Sequence, residues 1–274
     1  MVGWLNAALT GLFGLVLFPF RLLDPFWALL FVSCATGVLM LWIFGKISDQ
    51  AKIKTIRDRI RGNLLGVRIF GDDIGLLFRL QGRILADTGR YLKHALVPMI
   101  VTIVPVLAIL VQMNLHFGFR PLEPGERTTV KVAMRDAEAL ARGVTLEVGD
   151  GLVVETPGVP APDLHEIVWR VRAEKPGRHA IVVKAGSDEV VKDVAVGGSW
   201  GKISTLRTGR GLSEMLLYPG EKPIGSRVAV RAVEVDYPTL RLEALGFNLD
   251  WLIFFFVVSI AFGFLMKGPL GIEI

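Results

Sequence analysis

Residues 93–114 read KHALVPMIVTIVPVLAILVQMN, an apolar run long enough to cross a bilayer yet interrupted by two prolines. A hydrocarbon layer about 30 Å thick takes roughly 20 residues of helix, and Ala95 to Phe119 supplies that length with no charge if His116 is neutral. Pro98, Thr102, Pro105, Ile109 and Gln112 advance by four, three, four and three residues, so they share one helix face. Each proline frees a carbonyl that, in hydrocarbon, must be satisfied by something else. The stripe thus joins two freed carbonyls to a hydroxyl and an amide. It reads either as a packing seam of small and weakly polar residues or as the wall of a groove within the bilayer.

Outward from this run, the same apolar texture recurs. Phe26 to Gly45 has no charge, and Leu249 to Met266 carries only Asp250, near its start. Ser33, Thr36, Gly37 and Met40 share one face of the first of these, while Ser259 and Gly263 lie one turn apart in the second. Met1 to Phe20 is also uncharged but glycine-rich, and joins the next run through RLLDP at 21–25. It lacks the basic start and the A-x-A site of a cleaved signal, so it is read as retained, either as a span or as a helix lying in the interface. Apolar residues make up 52% of the 274, which points away from an ordinary soluble domain. The single cysteine, Cys34, excludes an internal disulfide framework, and the four scattered histidines form no metal motif.

Charge sets the expected orientation. Residues 46–94 hold eleven Lys and Arg against five Asp, whereas residues 115–248 hold eighteen of each sign. The positive-inside bias places the first in the cytoplasm and the second outside, and Lys267 agrees with a cytoplasmic tail. The net charge of +5 is thus the property of one loop, attracted to anionic lipid, and calls for no specific nucleic acid. Within that loop Ile53, Ile56, Ile60, Leu64 and Val67 recur at helical spacing, then Leu77, Leu80, Ile84, Thr88 and Tyr91. Gly71 is the expected stop and Asp72 the expected N-cap between them, giving a basic amphipathic hairpin.

From about Thr128 the pattern changes to short alternating runs: TTVKVAM, GVTLEV, EIVWRVRA, HAIVVKA, VVKDVAV and RVAVRAVEV. Their number and spacing predict an immunoglobulin-like antiparallel β-sandwich with Trp169 in its core and a hairpin turning at Ser187 and Asp188. Residues 199–226 break the alternation with an apolar knot at Leu216, Leu217 and Tyr218. That segment is read as a loop packed on its own domain or resting on a membrane or a partner. Asp150, Asp163 and Glu166 are not paired with a nucleophile or a metal ligand, so no catalytic residue, metal or cofactor is assigned and the chain is not read as an enzyme.

The expected organisation is an α+β membrane protein. Residues 1–25 form an N-terminal apolar helix, 26–45 a span, 46–94 the cytoplasmic hairpin, 95–119 a span, 120–247 the external sandwich, 248–267 a span and 268–274 a tail. This order resembles the core of the YidC/Oxa membrane-insertase superfamily, above all its short archaeal and endoplasmic-reticulum relatives. VPMIVTIVPV at 97–106 is similar to that family's proline-containing PLLIQxPIF-like stretch, with the prolines one residue further apart. No arginine interrupts the three uncharged runs, unlike the groove arginine of bacterial relatives, and the β-domain is inserted between core helices instead of preceding them. The resemblance implies an insertase or chaperone-like factor of the cytoplasmic (inner) membrane that accepts hydrophobic segments of nascent proteins. It implies Ser33, Thr36, Thr102, Gln112 and Asp250 as groove residues, and Arg57, Arg59, Arg61 and Arg79 as hairpin contacts to ribosome, client or lipid. The alternative is a membrane-anchored interaction module whose external domain binds an envelope protein.

Overall fold

In the computed structural model, residues 2–70, 73–136, 138, 140, 143–198, 200–244 and 247–272 are described. The chain divides into two compact units, Met1–Ala28 with Ala108–Trp251, and Leu29–Leu107 with Leu252–Ile274. It is an α+β protein with antiparallel β-sheets and three helices long and apolar enough to cross a membrane.

Six helices are described: α1 (Val2–Leu17), α2 (Pro25–Ile47), α3 (Gln50–Ile69), α4 (Ile74–Phe117), α5 (Leu212–Leu217) and α6 (Trp251–Leu270). The three candidate spans are α2, α4 and α6. α1 has 16 residues, about 24 Å at the usual rise, and a 3-10 turn at Phe18–Phe20 continues it. The first span starts where its chemistry dictates. Asp24 accepts the Phe26 N–H at 2.8 Å, and Pro25, which has no N–H to lose, opens the helix.

Two helices, α3 and α4, follow each other where the sequence suggests a hairpin. Asp49 caps α3 by accepting the Lys52 N–H at 3.1 Å. The expected boundary residues Gly71 and Asp72 lie outside the described residues; Asp73 caps α4 by accepting the Leu76 N–H at 2.9 Å. Ile53, Ile56 and Leu80 are buried, and Leu80 lies against Gly66 of α3. The second hairpin helix does not end near His94 to be followed by a separate span. It runs unbroken for 44 residues through both prolines to Phe117, about 66 Å at the usual rise.

Eleven strands are described: β1 (Arg127–Met134), β2 (Val144–Val148), β3 (Leu152–Val154), β4 (Val159–Ala161), β5 (Glu166–Ala173), β6 (Gly177–Ala185), β7 (Asp188–Val196), β8 (Leu206–Thr208), β9 (Val230–Val235), β10 (Leu242–Ala244) and β11 (Phe247–Leu249). One sheet runs β3-β5-β1-β9-β8, with β4 also paired to β5; a second runs β2-β6-β7; β10 and β11 pair alone. One buried cluster draws Val130 and Val132 from β1, Trp169 and Val171 from β5, Ile181 and Val183 from β6, and Val233 and Val235 from β9. Alternation of the strands puts these residues on inward faces. The β6–β7 turn is Gly186–Ser187, one residue earlier than the sequence suggests, because Ala185 pairs with Asp188. Gly186 sits there at φ +63°, a conformation that costs glycine little.

The 199–226 segment is not free loop. It contains β8 and the short helix α5, and the Asn6 amide of α1 donates to the Met215 carbonyl. Trp200 anchors its start, stacking on Phe117 with ring centroids 5.2 Å apart and donating its indole N–H to the Leu23 carbonyl at 3.0 Å.

Candidate functional site

Within the unit that holds Leu29–Leu107 and Leu252–Ile274, α2, α4 and α6 enclose a groove of about 530 Å³. Thr36, Met40 and Phe44 of α2 face Met99, Thr102 and Val106 of α4. The third wall is α6, with Phe255, Ser259 and Phe264 among its lining residues.

The groove depends on how closely α2 and α6 meet. A Cβ on Gly37 would fall on the Ser259 carbonyl oxygen and stand 3.1 Å from its carbon and 3.2 Å from the Gly263 nitrogen. The Ser259 hydroxyl donates to the Ser33 carbonyl at 3.0 Å. Small residues and one interhelical hydrogen bond are how helices associate where hydrocarbon replaces water.

The expected groove residues separate. Thr36 and Thr102 line the cavity together. Their hydroxyls are turned to their own helices, to the carbonyls of Val32 at 2.7 Å and Met99 at 2.8 Å. Proline at 105 leaves the Val101 carbonyl, one turn back, without its helical donor. Ser33 is fully buried in the α2–α6 contact and bonded to the Leu29 carbonyl, so it supports the wall without facing the cavity. Gln112 belongs to the other unit, buried with its amide donating to the Thr10 hydroxyl of α1 at 3.1 Å. Its Oε1 has no hydrogen-bond partner among the described residues. Asp250 is exposed just ahead of α6. The lining is therefore more apolar than the sequence stripe suggests, with threonine hydroxyls already satisfied.

Of the hairpin arginines, Arg59, Arg61 and Arg79 are exposed and Arg57 is half-buried. They do not stand in a purely polar surface. Leu65, Ile69, Phe70, Ile74 and Phe78 are exposed around the hairpin tip, so basic and apolar side chains alternate there.

A second constellation escapes the motif reading. The inward set of β7 is Val190, Lys192, Val194 and Val196, and Lys192 is fully buried. Its Nζ donates to Glu221 Oε1 at 2.5 Å and to the Ser204 carbonyl at 2.8 Å. Burial pushes the ammonium below the usual lysine range, and Glu221 opposes that shift. The signal was present as a lysine in the inward phase of VVKDVAV, but its partner lies 29 residues away in the irregular segment. No family model, curated protein or solved structure matches the chain.

Proposed function

We propose that this protein is a membrane-protein insertase or chaperone-like factor whose groove between α2, α4 and α6 receives hydrophobic segments of newly made proteins. The observation that carries the reading is the groove itself, about 530 Å³, with walls of Phe, Met, Ile and Val beside Thr36 and Thr102. An apolar segment seated there leaves water for an apolar surface, and that burial drives the step without a cofactor. The cytoplasmic (inner) membrane is the proposed site, with the basic hairpin inside and an immunoglobulin-like sandwich outside. The eleven-to-five excess of Lys and Arg over Asp in residues 46–94 supports this orientation. The exposed basic and apolar side chains of the hairpin would meet client, ribosome or lipid headgroups. The order of spans and hairpin supports the likeness to the YidC/Oxa superfamily.

The test is photo-crosslinking in living cells with a probe amino acid at Thr102 and, separately, at Leu217. Newly synthesised membrane proteins trapped from Thr102 are the expected result. Lipid alone at Thr102, with one discrete envelope protein at Leu217, would make the helices an anchor and move the function to the β-domain.

A further inference from the structure

The unit that holds the sheets contains a second cavity, of about 340 Å³, whose walls differ in kind from the groove. Asn6 and Thr10 of α1 form one side; Lys202, Thr208, Glu221 and Lys222 contribute the other. We propose that this cavity binds a phosphate-ester group, with the Lys202 ammonium as its charged partner, and that the phosphate belongs to a lipid headgroup.

Three observations lead there. First, Lys202 is half-buried, and its ammonium makes no hydrogen bond or ion pair among the described residues. A cation held partly out of water without a partner is costly, and a charge-assisted bond to an anion removes that cost. Burial pushes its pKa below the usual lysine range, with Arg178 adding to the shift and Glu221 and Asp193 opposing it. Second, the charges around the cavity do not cancel. The charged side chains that line it are Lys202, Lys222 and Glu221. Glu221, the carboxylate that would repel an anion, is already engaged by buried Lys192 at 2.5 Å. The surplus at the wall is positive, two lysines against one carboxylate. Hydroxyls of Thr208 and Thr10 and the amide of Asn6 supply the neutral polar groups that a phosphate's remaining oxygens use.

Third, the elements beside the cavity present an apolar surface. Trp4, Leu12 and Leu15 of α1 are exposed, as are Leu212, Leu216 and Leu217 of α5. An apolar helix lying beside exposed leucines suits the interfacial layer of a bilayer. In that position a polar, cationic recess opens at headgroup depth, where lipid phosphates are concentrated. This favours a lipid over a soluble phosphate.

The experiment uses the full chain, purified in detergent and delipidated, with retained lipid read by native mass spectrometry. The wild-type protein is expected to hold one phosphatidylglycerol and to hold diacylglycerol, which lacks the phosphate, far less. Lys202→Met, which keeps the aliphatic stem, should lower that retention roughly tenfold, the scale of one lost charge-assisted contact. Lys202→Arg should restore most of it, and Arg231→Met, at an exposed position of β9, should leave it unchanged. Excess glycerol 1-phosphate identifies the source. Failure to displace the lipid assigns the site to a membrane headgroup; full displacement keeps the phosphate pocket but assigns it to a soluble ester. Equal retention of phosphatidylglycerol and diacylglycerol by the wild type, or undiminished retention by folded Lys202→Met, overturns the proposal.

Discussion

Lys192 occupies the core-facing register of a β-strand otherwise filled by valines. Taking an ammonium out of water costs several kcal/mol, and Glu221 and the Ser204 carbonyl offset this only while both are in place. Lys192→Met is expected to destabilise the β-domain by about 3–5 kcal/mol, because it leaves the Glu221 carboxylate in a largely buried site without its cation. The double change Lys192→Met with Glu221→Leu should recover most of that loss, since an apolar pair carries no desolvation cost. Chemical unfolding of both variants in detergent, followed by tryptophan fluorescence, measures it; equal destabilisation of single and double variants would mean the pair is not coupled. The inward position of Lys192 was legible in the sequence, because a period of two fixes which side chains face the core. Its partner was not, because Glu221 lies in a segment with no period. Gln112 illustrates the opposite failure. Its step from Pro98 matches a helix face on paper. The groove takes only Met99, Thr102 and Val106 from α4, whereas Gln112 lies further along the helix, in the other unit, buried against Thr10.

Among the elements, the α2–α6 contact sets the width of the groove. Gly37 is needed because backbone occupies the space where a side chain would begin. Gly37→Ala should cost about 1–3 kcal/mol by overpacking and lower the melting temperature in detergent. Gly263→Ala, whose added carbon would stand 3.4 Å from the Gly37 oxygen, should be much milder. Similar losses for the two variants would contradict the close approach. Both glycines fell on faces marked by small residues in the sequence, but the aromatic walls of Phe255 and Phe264 carried no comparable mark. The length of α4 was misjudged for a physical reason. Charge ends at His94, which marks where hydrocarbon can begin, and nothing between Tyr91 and Val97 breaks a helix. Composition and helix continuity are separate signals, and only the second sets an element's end. Even Pro98 and Pro105 do not end α4.

At the scale of the whole molecule, orientation across the membrane rests on charge alone, and it can be measured. In a Cys34→Ser background, Leu65→Cys and Leu164→Cys each place one thiol at an exposed position, in the hairpin and in the β-domain. A membrane-impermeant maleimide added to intact cells with a permeabilised outer layer is expected to label the second and not the first; the reverse would invert the topology. Strands were readable one by one from their alternation, and Trp169 was rightly placed in the core. Their order was not, because pairing between distant segments leaves no local trace. The chief example is β9, which inserts between β1 and β8. Val130 pairs with Val235 across about a hundred residues, although β1 also pairs with β5 much earlier in the chain. During synthesis, therefore, one edge of β1 stays open while nearly all of the domain emerges, and only the arrival of β9 closes it. Closing so long a loop late is slow, and an open edge is a template for wrong partners. The apolar helix α6 begins soon after β9, so the domain completes its sheet only as that helix is being made.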